Sequence, residues 1–405
     1  MSLATRSAES LIALENQYGA HNYHPLDVVA ERGEGVHLWD VEGKKYMDFL
    51  AAYSAVNQGH NHPRIVKAMI EQAQRLALTS RAFRNDQFPP LLEKLCKLTG
   101  FDKALLMNSG AEAVETAIKA MRKWAYDVKG IEYPKAEIIV ADGNFHGRTT
   151  TIVGFSTDPD STSRFGPFTP GFKIVPYGDL QAVEAAITPN TAAIFMEPIQ
   201  GEAGVLIPPV GFLRGLREIA DRHGILLVLD EIQSGLGRTG KLFAFEHEGI
   251  RPDGVTIGKA LSGGLYPVSA FLSKNAVMDV FTPGIHGSTY GGNPLACAVA
   301  TAALDVLVDE RLIERTAELG SHLDARLRGL KSPLVKGVRV RGLWAGVDLV
   351  PEAGGARKFC YKLKDRGMLC KDTHTHTIRL APPLVITREE LDWAVDQLAA
   401  VLAEG

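Results

Sequence analysis

Short apolar runs alternate with amphipathic stretches through the middle of the chain. The runs are rich in Val, Ile and Leu and have the length of buried strands. They lie at 104–107, 137–141, 192–196, 225–229 and 255–257. After the first run, Val114, Ala117, Ile118 and Met121 recur at the spacing of a helix. Strands that alternate with helices in this way predict an α/β fold, with a mostly parallel central sheet flanked by helices.

The pattern changes toward both ends of the chain. Short strands at 36–39 and 45–49 predict a hairpin near the N-terminus, and apolar spacing predicts a helix at 63–78. After about residue 300, amphipathic helices alternate with short strands, and Thr387 with Glu390 makes a capping box for the last helix. We therefore expect three parts: an N-terminal segment (1–55) that packs with the small domain, a large domain (56–300), and a small C-terminal α+β domain (301–405).

Composition narrows the classes of function. With 405 residues, of which 45% are hydrophobic and 22% charged, the chain can bury a large core and should not be disordered. A formal net charge of -3 gives no reason to expect nucleic acid or an anionic membrane as a partner. No apolar run approaches the ~18 residues of a membrane span. Glu9 and Glu15 do not fit a transit peptide, so we expect a cytoplasmic protein.

Neither the cysteines nor the paired histidines predict a metal site. The cysteines are Cys96, Cys297, Cys360 and Cys370, and none has C-x-x-C spacing. We expect them to be reduced thiols in a reducing compartment. The histidine pairs at 60/62 and 374/376 lack the further Cys or His partners that a zinc site requires.

Two strand ends place an acid and an amine at one edge of the predicted sheet. Asp230 follows the run at 225–229, and Lys259 follows the run at 255–257 on a glycine-rich turn. Ligands bind at the carboxyl ends of strands in open α/β sheets. A desolvated lysine there can lose its proton and add to a carbonyl group, and an aspartate can hold a proton on a pyridine nitrogen. Either residue alone is more typical of a surface or a helix cap, but the pair predicts pyridoxal 5'-phosphate.

Two further strand ends extend this site. The turn of Asn108, Ser109, Gly110 and Ala111 leads into a helix, whose free N–H groups can hold a phosphate, although a simple helix cap has the same sequence. After the run at 137–141, an aromatic side chain can lie on a cofactor ring and an arginine can clamp a carboxylate. These two are Phe145 and Arg148, which taken alone would be a core residue and a surface charge.

Two glycine-rich segments need separate interpretation. Gly235, Gly237 and Gly240 satisfy G-x-G-x-x-G. A dinucleotide site also needs a helix start there and an acid about twenty residues later, and this sequence shows neither. The loop at 286–293, with its small and hydroxyl side chains, suits a phosphate or a subunit contact.

Six segments together resemble the class III aminotransferases of pyridoxal-phosphate fold type I. They cover nearly the whole chain in order, so the combination is highly specific. They are "NSGAEA" at 108–113, "NFHGRT" at 144–149, "EPIQGEAG" at 197–204, "LDEIQSGLGRTG" at 229–240, "GKALSGG" at 258–264 and "HGSTYGGNP" at 286–294. The resemblance implies that fold, that cofactor and an amino-transfer reaction.

Four other segments are similar to the members of this class that act on ornithine. They are "NYHPLDV" at 22–28, "AAYSAVNQGHNHP" at 51–63, "GLYPVSA" at 264–270 and "RLAPPLVI" at 379–386. The similarity implies transfer of the δ-amino group of L-ornithine to 2-oxoglutarate or another 2-oxo acid. The products would be glutamate 5-semialdehyde, in equilibrium with pyrroline-5-carboxylate, and glutamate.

The resemblance also implies residue roles around the cofactor. Lys259 would bind the cofactor covalently and Asp230 would pair with its pyridine nitrogen. Ser109, Gly110 and Ala111 would lie at the phosphate, Phe145 and Ile232 would sandwich the ring, and Gln233 would lie near its 3-oxygen. Ser288 and Thr289 would reach the phosphate of a neighbouring subunit, so the smallest active unit would be a homodimer.

Substrate roles follow from the same resemblance. Tyr23 and Arg148 would hold the α-carboxylate of ornithine, and Tyr53 would shape the pocket. Glu202 would pair with Arg379 while ornithine is bound, and would release it to take the α-carboxylate of 2-oxoglutarate. His146 is a departure, because some members have a bulkier aromatic residue at that position.

Other functions remain open on the sequence. An N-acetylornithine or 4-aminobutyrate aminotransferase is the nearest alternative, and Tyr23 with Tyr53 favours free ornithine because its unblocked polar groups need polar partners. A pyridoxal-phosphate aminomutase is an alternative of another class, against which Glu202 and Arg379 indicate a dicarboxylate co-substrate. A non-catalytic binding protein would have no need to keep Lys259 and Asp230 together.

Overall fold

A computed structural model describes residues 7–405, so the first six residues of the expected N-terminal segment lie outside it. The strands are β1 (Ala30–Glu34), β2 (His37–Asp40), β3 (Lys45–Asp48), β4 (Lys103–Met107), β5 (Glu137–Ala141), β6 (Phe172–Val175), β7 (Thr191–Met196), β8 (Leu226–Asp230), β9 (Gly254–Ile257), β10 (Ser269–Ser273), β11 (Val335–Val340), β12 (Ala345–Leu349), β13 (Met368–Leu369), β14 (Lys371–Thr373) and β15 (Thr377–Leu380).

Helices separate most of these strands along the chain. They are α1 (Ala8–Tyr18), α2 (Ala51–Ser54), α3 (Pro63–Arg75), α4 (Phe88–Thr99), α5 (Gly110–Trp124), α6 (Thr150–Val153), α7 (Pro159–Thr162), α8 (Leu180–Ala186), α9 (Phe212–His223), α10 (Asn275–Met278), α11 (Pro294–Asp309), α12 (Leu312–Arg328), α13 (Arg357–Asp365) and α14 (Arg388–Ala403). Within residues 7–405, none combines the length and the apolar character that crossing a bilayer would take.

The central sheet has seven strands in the order β4-β10-β9-β8-β7-β5-β6. Strands β9, β8, β7, β5 and β6 are parallel to one another, whereas β10 is antiparallel to both β9 and β4. The α/β prediction with a mostly parallel sheet is therefore confirmed, and β10 is the exception that the sequence analysis did not predict.

Alternate residues of the central strands face two separate cores. In β8, Leu227 and Leu229 pack in the cluster that contains α9, while Leu226 and Val228 pack in the cluster that contains α5. This follows from the two-residue period of a strand. Because helices cover both faces, the open place for a ligand is the edge where the parallel strands end.

Two smaller sheets join distant parts of the sequence. Strand β13 pairs with β3, with Met368 opposite Met47, and so closes the sheet β1-β2-β3-β13. This pairing places β3 of the N-terminal segment beside β13 of the C-terminal region. The sheet β11-β12-β15-β14 is antiparallel. The boundaries at 55 and 300 remain predictions, and residue 300 lies inside α11.

The structure corrects some predicted element ends. The helix predicted at 63–78 ends at Arg75, because the backbone of Leu76 is extended. Strand β1 was not predicted, since its sequence AERGE shows no apolar alternation. The capping box of the last helix is present: the Thr387 hydroxyl accepts from Glu390 N, and the Glu390 carboxylate accepts from Thr387 N.

Candidate active site

A pocket opens at the carboxyl edge of the central sheet. The side chains of Lys259, Asp230, Phe145, Ile232 and Gln233 line it, together with the turn at Gly110 and Ala111. These residues come from the ends of β4, β5, β8 and β9. The structure thus brings together most of the residues that the sequence analysis assigned to a cofactor.

Lys259 begins a short 3-10 turn directly after β9 and has a φ of +45°. Burial lowers the pKa of its amine, whereas the nearby Glu202 and Asp230 carboxylates act in the opposite direction. A lowered pKa increases the fraction of neutral amine, which is the nucleophilic form.

Asp230 ends β8 and is 5% exposed. Its Oδ1 accepts hydrogen bonds from Ile232 N and from the Thr256 hydroxyl, each at 3.0 Å, and its Oδ2 accepts from His146 Nδ1 at 2.6 Å. These three hydrogen bonds fix the orientation of the carboxylate.

His146 and Glu197 belong to this site although the sequence analysis did not assign them to it. His146 lies between Asp230 and Phe195, whose ring centroid is 4.4 Å away. Glu197 accepts from Phe145 N at 3.0 Å and from Gly201 N at 3.3 Å, and burial raises its pKa to about 7. A signal for Glu197 was present, because it follows the run at 192–196 as Asp230 follows its own strand.

The turn into α5 combines a helix cap with free N–H groups at the pocket. The Ser109 hydroxyl accepts from Glu112 N, and the Glu112 carboxylate accepts from Ser109 N. This capping box leaves the N–H groups of Gly110 and Ala111 without acceptors among residues 7–405. Both groups lie at the pocket, where the positive end of the helix favours an anion. A Cβ atom on Gly110 would lie 3.1 Å from Ile232 Cδ1, so glycine fits this position best.

Two buried side-chain nitrogens without partners in the described part of the chain belong to residues that line the pocket. Among residues 7–405, Gln233 Nε2 is buried and has no hydrogen-bond partner, and His146 Nε2 shares this state. A buried polar group without a partner costs roughly 1–3 kcal/mol. A ligand that offers acceptor atoms would relieve this cost at Gln233.

A buried arginine lies next to the pocket with its charge paired. Arg379 Nη1 donates to Glu202 Oε1 at 2.7 Å, and the Arg379 side chain is 0% exposed. Its Nε and Nη2 have no partners within the described residues. Burial alone would raise the pKa of Glu202. The charge and hydrogen bond of Arg379 act more strongly in the opposite direction and hold that pKa below its ordinary value. Tyr53 covers the pair, with its ring centroid 4.7 Å from the guanidinium carbon.

The remaining residues that the sequence assigned to substrate or phosphate do not line the pocket. Tyr23 is 72% exposed. Arg148 is exposed, donates to the Ser161 hydroxyl at 3.2 Å, and lies 5.4 Å from the Phe145 ring. Ser288 accepts from Asn108 Nδ2 at 2.8 Å, beside the capping turn of its own chain. Thr289 is exposed and does not line the pocket.

The histidine pair at 60/62 contacts carboxylates. His60 Nε2 lies 2.8 Å from Asp48 Oδ2, and His62 Nε2 lies 3.0 Å from Glu310 Oε1. Across residues 7–405, no three His, Cys, Asp or Glu side chains form a group suited to a metal ion.

Comparison with known proteins identifies the family. The sequence model described as Aminotransferase class-III matches residues 18–402. A protein named ornithine aminotransferase from Bordetella pertussis is 61% identical over 392 residues, 97% of this chain and 95% of that protein. A Toxoplasma gondii ornithine aminotransferase, described with partial occupancy of PLP at its active site, superposes with a TM-score of 0.97 at 45% identity, covering 99% of this chain and 95% of that one. An acetylornithine aminotransferase from Elizabethkingia anophelis gives 0.92 at 55% identity, over 99% and 100%. The chain therefore belongs to the class III aminotransferase family.

Proposed function

We propose that this chain transfers the δ-amino group of L-ornithine to 2-oxoglutarate or another 2-oxo acid, with pyridoxal 5'-phosphate as cofactor. The products are glutamate 5-semialdehyde, which cyclises to pyrroline-5-carboxylate, and glutamate. The observation that carries the proposal is the buried Glu202–Arg379 pair, covered by Tyr53, beside the pocket of Lys259 and Asp230. The relatives named ornithine aminotransferase support the choice of substrate.

The pocket fits the cofactor on its own chemistry. The free N–H groups of Gly110 and Ala111 suit the phosphate, and Gln233 Nε2 suits an oxygen acceptor on the ring. Phe145 and Ile232 supply apolar contacts for the ring faces, and the Lys259 amine suits the aldehyde carbon. When bound, the cofactor supplies an electron sink that stabilises negative charge on the substrate carbon.

The protein's own groups control the protons. Asp230, fixed by three donors, would hold the proton on the pyridine nitrogen. With cofactor and substrate bound, the Lys259 amine would lie free within the same pocket. Because burial lowers its pKa, it would move the proton from the substrate δ-carbon to the carbon that carried the cofactor's aldehyde, and the reverse transfer would serve the second half of the reaction.

The Glu202–Arg379 ion pair explains how one pocket accepts two substrates of different charge. With ornithine present, Glu202 neutralises Arg379, so no unpaired cation remains beside the substrate amine. With 2-oxoglutarate present, Glu202 would move away and Arg379 would bind the α-carboxylate through the donors that are unpaired here. A buried charge must be paired in each state, and this exchange meets that requirement.

N-acetylornithine is the alternative with the most support, because the Elizabethkingia anophelis neighbour is named for it. 4-Aminobutyrate and an aminomutase reaction are less favoured, since Tyr53 and the Glu202–Arg379 pair leave polar partners for both a diamino acid and a dicarboxylate. Tyr23 and Arg148 at the mouth would hold the α-carboxylate of ornithine.

We also propose a homodimer or a higher homo-oligomer in the cytoplasm. The exposure of Thr289 supports a role for the 286–293 loop toward a second copy, in which Ser288 and Thr289 would reach the partner's phosphate. The four cysteines are free thiols, which suits a reducing compartment.

A panel of amino donors tests the substrate. The purified holoenzyme would be assayed with L-ornithine, N-acetylornithine and 4-aminobutyrate, each with 2-oxoglutarate. We expect the highest kcat/KM for L-ornithine. A preference for N-acetylornithine would overturn the proposed substrate and keep the family.

A further inference from the structure

Four consecutive non-glycine residues between β3 and α3 have positive φ. Ala51, Ala52, Tyr53 and Ser54 have φ values of 48°, 45°, 60° and 75°, so α2 is a single left-handed turn. L-residues rarely adopt this conformation, because the Cβ atom comes too close to the following carbonyl oxygen. Such a run persists only where neighbouring contacts determine it.

This turn places Tyr53 on the carboxylate-binding arginine. The Tyr53 ring lies 4.7 Å from the Arg379 guanidinium carbon, and Arg379 binds Glu202 at 2.7 Å. Just before the turn, the Phe49 carbonyl accepts from Ala381 N at 2.7 Å, two residues after Arg379. The conformation of the turn therefore determines where the ring lies relative to the guanidinium.

Asp48 holds the start of the turn. Its Oδ1 accepts hydrogen bonds from Leu50 N at 2.8 Å and from Ala51 N at 2.9 Å. These are the N–H groups at which the chain enters the left-handed conformation. Asp48 is 4% exposed, so water does not compete readily for this oxygen.

His60 in turn holds Asp48. Its Nε2 donates to Asp48 Oδ2 at 2.8 Å. The His60 backbone pairs with Gly35 in both directions, at 2.8 and 3.1 Å. A Cβ atom on Gly33 would lie 2.9 Å from His60 Cβ, so β1 packs directly against this side chain. The backbone of His60 and the Nε2 atom of its ring are therefore both held in place.

We propose that Asp48 and His60 are positioning residues for the amino-transfer reaction. They hold the left-handed turn at 51–54, and through it they keep Tyr53 on Arg379 while Glu202 is engaged. Neither residue lines the pocket itself. The inference rests on the proposed function in one respect, which is that Tyr53, Arg379 and Glu202 contact the substrates.

A double-mutant cycle on the holoenzyme tests this role. The variants are His60→Ala, Tyr53→Ala and the combination, with KM and kcat measured for the amino donor. We expect His60→Ala alone to raise KM on the order of tenfold, with a smaller change in kcat. In the Tyr53→Ala background, His60→Ala should add less than about twofold, because residues that act through one another are not additive.

Two further variants separate positioning from general stability. His60→Gln, whose Nε2 can reach Asp48, should have a KM close to that of the wild type. His62→Gln is the matched control, since His62 binds Glu310 and does not contact the turn, and its KM should equal that of the wild type. Should His60→Ala fail to fold, His60→Phe takes its place in the cycle, because it fills the space of the imidazole without a donor for Asp48 Oδ2.

The outcomes are distinct. Additive effects of the substitutions at 60 and 53, or an unchanged KM in His60→Ala, would overturn the positioning role. Inactivity of the wild type toward ornithine would overturn the proposed function alone, because the cycle can then be measured with whichever amino donor the wild type uses best.

Discussion

At the scale of single residues, the site is a small set of buried charges at strand ends. The places of Lys259 and Asp230 at the pocket could be predicted from the sequence, because each lies within two residues of the end of an apolar run. His146 could not be predicted as a partner of Asp230, since their hydrogen bond joins the ends of two strands that are 84 positions apart. The pairing of Glu202 with Arg379 came from family resemblance, because no local pattern links positions 177 residues apart.

Replacing Lys259 tests the covalent attachment. In Lys259→Ala, treatment of the loaded protein with borohydride should leave no cofactor bound covalently, because the amine that reaches the pocket is gone. Lys241→Ala, at an exposed lysine, is the control and should trap cofactor like the wild type. Mass spectrometry of tryptic peptides gives the position of the adduct. An adduct on a different lysine in the wild type would refute the assignment.

Replacing Glu202 tests the role of the Glu202–Arg379 ion pair. Glu202→Ala leaves Arg379 without its counter-charge, so the pocket should bind a dicarboxylate more readily and the cationic amino donor less readily. We expect the ratio of kcat/KM for 2-oxoglutarate to that for ornithine to rise by about tenfold or more. Glu202→Gln should give a smaller rise, because its amide oxygen can still accept from Arg379. An unchanged ratio in both variants would contradict the exchange.

At the scale of elements, sequence patterns predict the parallel strands well and the irregular segments poorly. The buried runs that become β5, β7, β8 and β9 have a clear composition. The left-handed turn at 51–54 contains no glycine, so nothing local in its sequence indicates positive φ. Its conformation depends on Asp48 and on His60, which come from outside the turn, and only the folded arrangement shows this.

The loop that follows β8 depends on a second buried acid. Glu231 accepts from Phe245 N at 3.0 Å and from the Ser234 hydroxyl at 2.5 Å, and burial raises its pKa to about 7 from an ordinary 4.5. Between these two pH values the unfolded chain loses this proton while the folded protein keeps it. The stability contributed by protonated Glu231 is therefore complete below pH 4.5 and is lost as the pH rises toward 7.

Glu231→Gln removes this titration while keeping an acceptor for Phe245 N. Relative to the variant, the wild type should lose free energy of unfolding on the order of 3 kcal/mol between pH 4.5 and 7. Urea unfolding of both proteins across this range measures the difference. If the free energies of unfolding of the two proteins change equally with pH over this range, the Glu231 carboxyl does not keep its proton on folding.

At the scale of the whole molecule, segments near the two ends of the sequence pair with each other and contribute to the pocket of the central sheet. Pairing of β3 with β13 connects positions that are more than 300 residues apart, and β15 places Arg379 at the pocket. The sequence predicts that the N-terminal segment packs near the C-terminal region. It could not predict the register, because short strands such as β13 carry little pattern of their own.

The proposed role of the 286–293 loop toward a second copy can be tested by complementation. Lys259→Ala and Thr289→Glu should each be nearly inactive, the second because a carboxylate would repel the partner's phosphate. After the two proteins are mixed and allowed to exchange subunits, roughly a quarter of the sites should be intact, because half the dimers are mixed and each has one complete site. Activity that stays at the average of the two parents would show that Thr289 does not act across subunits.

Following the nitrogen atom tests the central claim most directly. The holoenzyme would be incubated with 2-oxoglutarate and L-ornithine carrying ¹⁵N at either the δ or the α position, and the glutamate formed would be analysed by mass spectrometry. We expect the δ label to appear in glutamate and the α label to remain in the pyrroline product. Transfer of the α label, or no transfer from either position, would contradict the account.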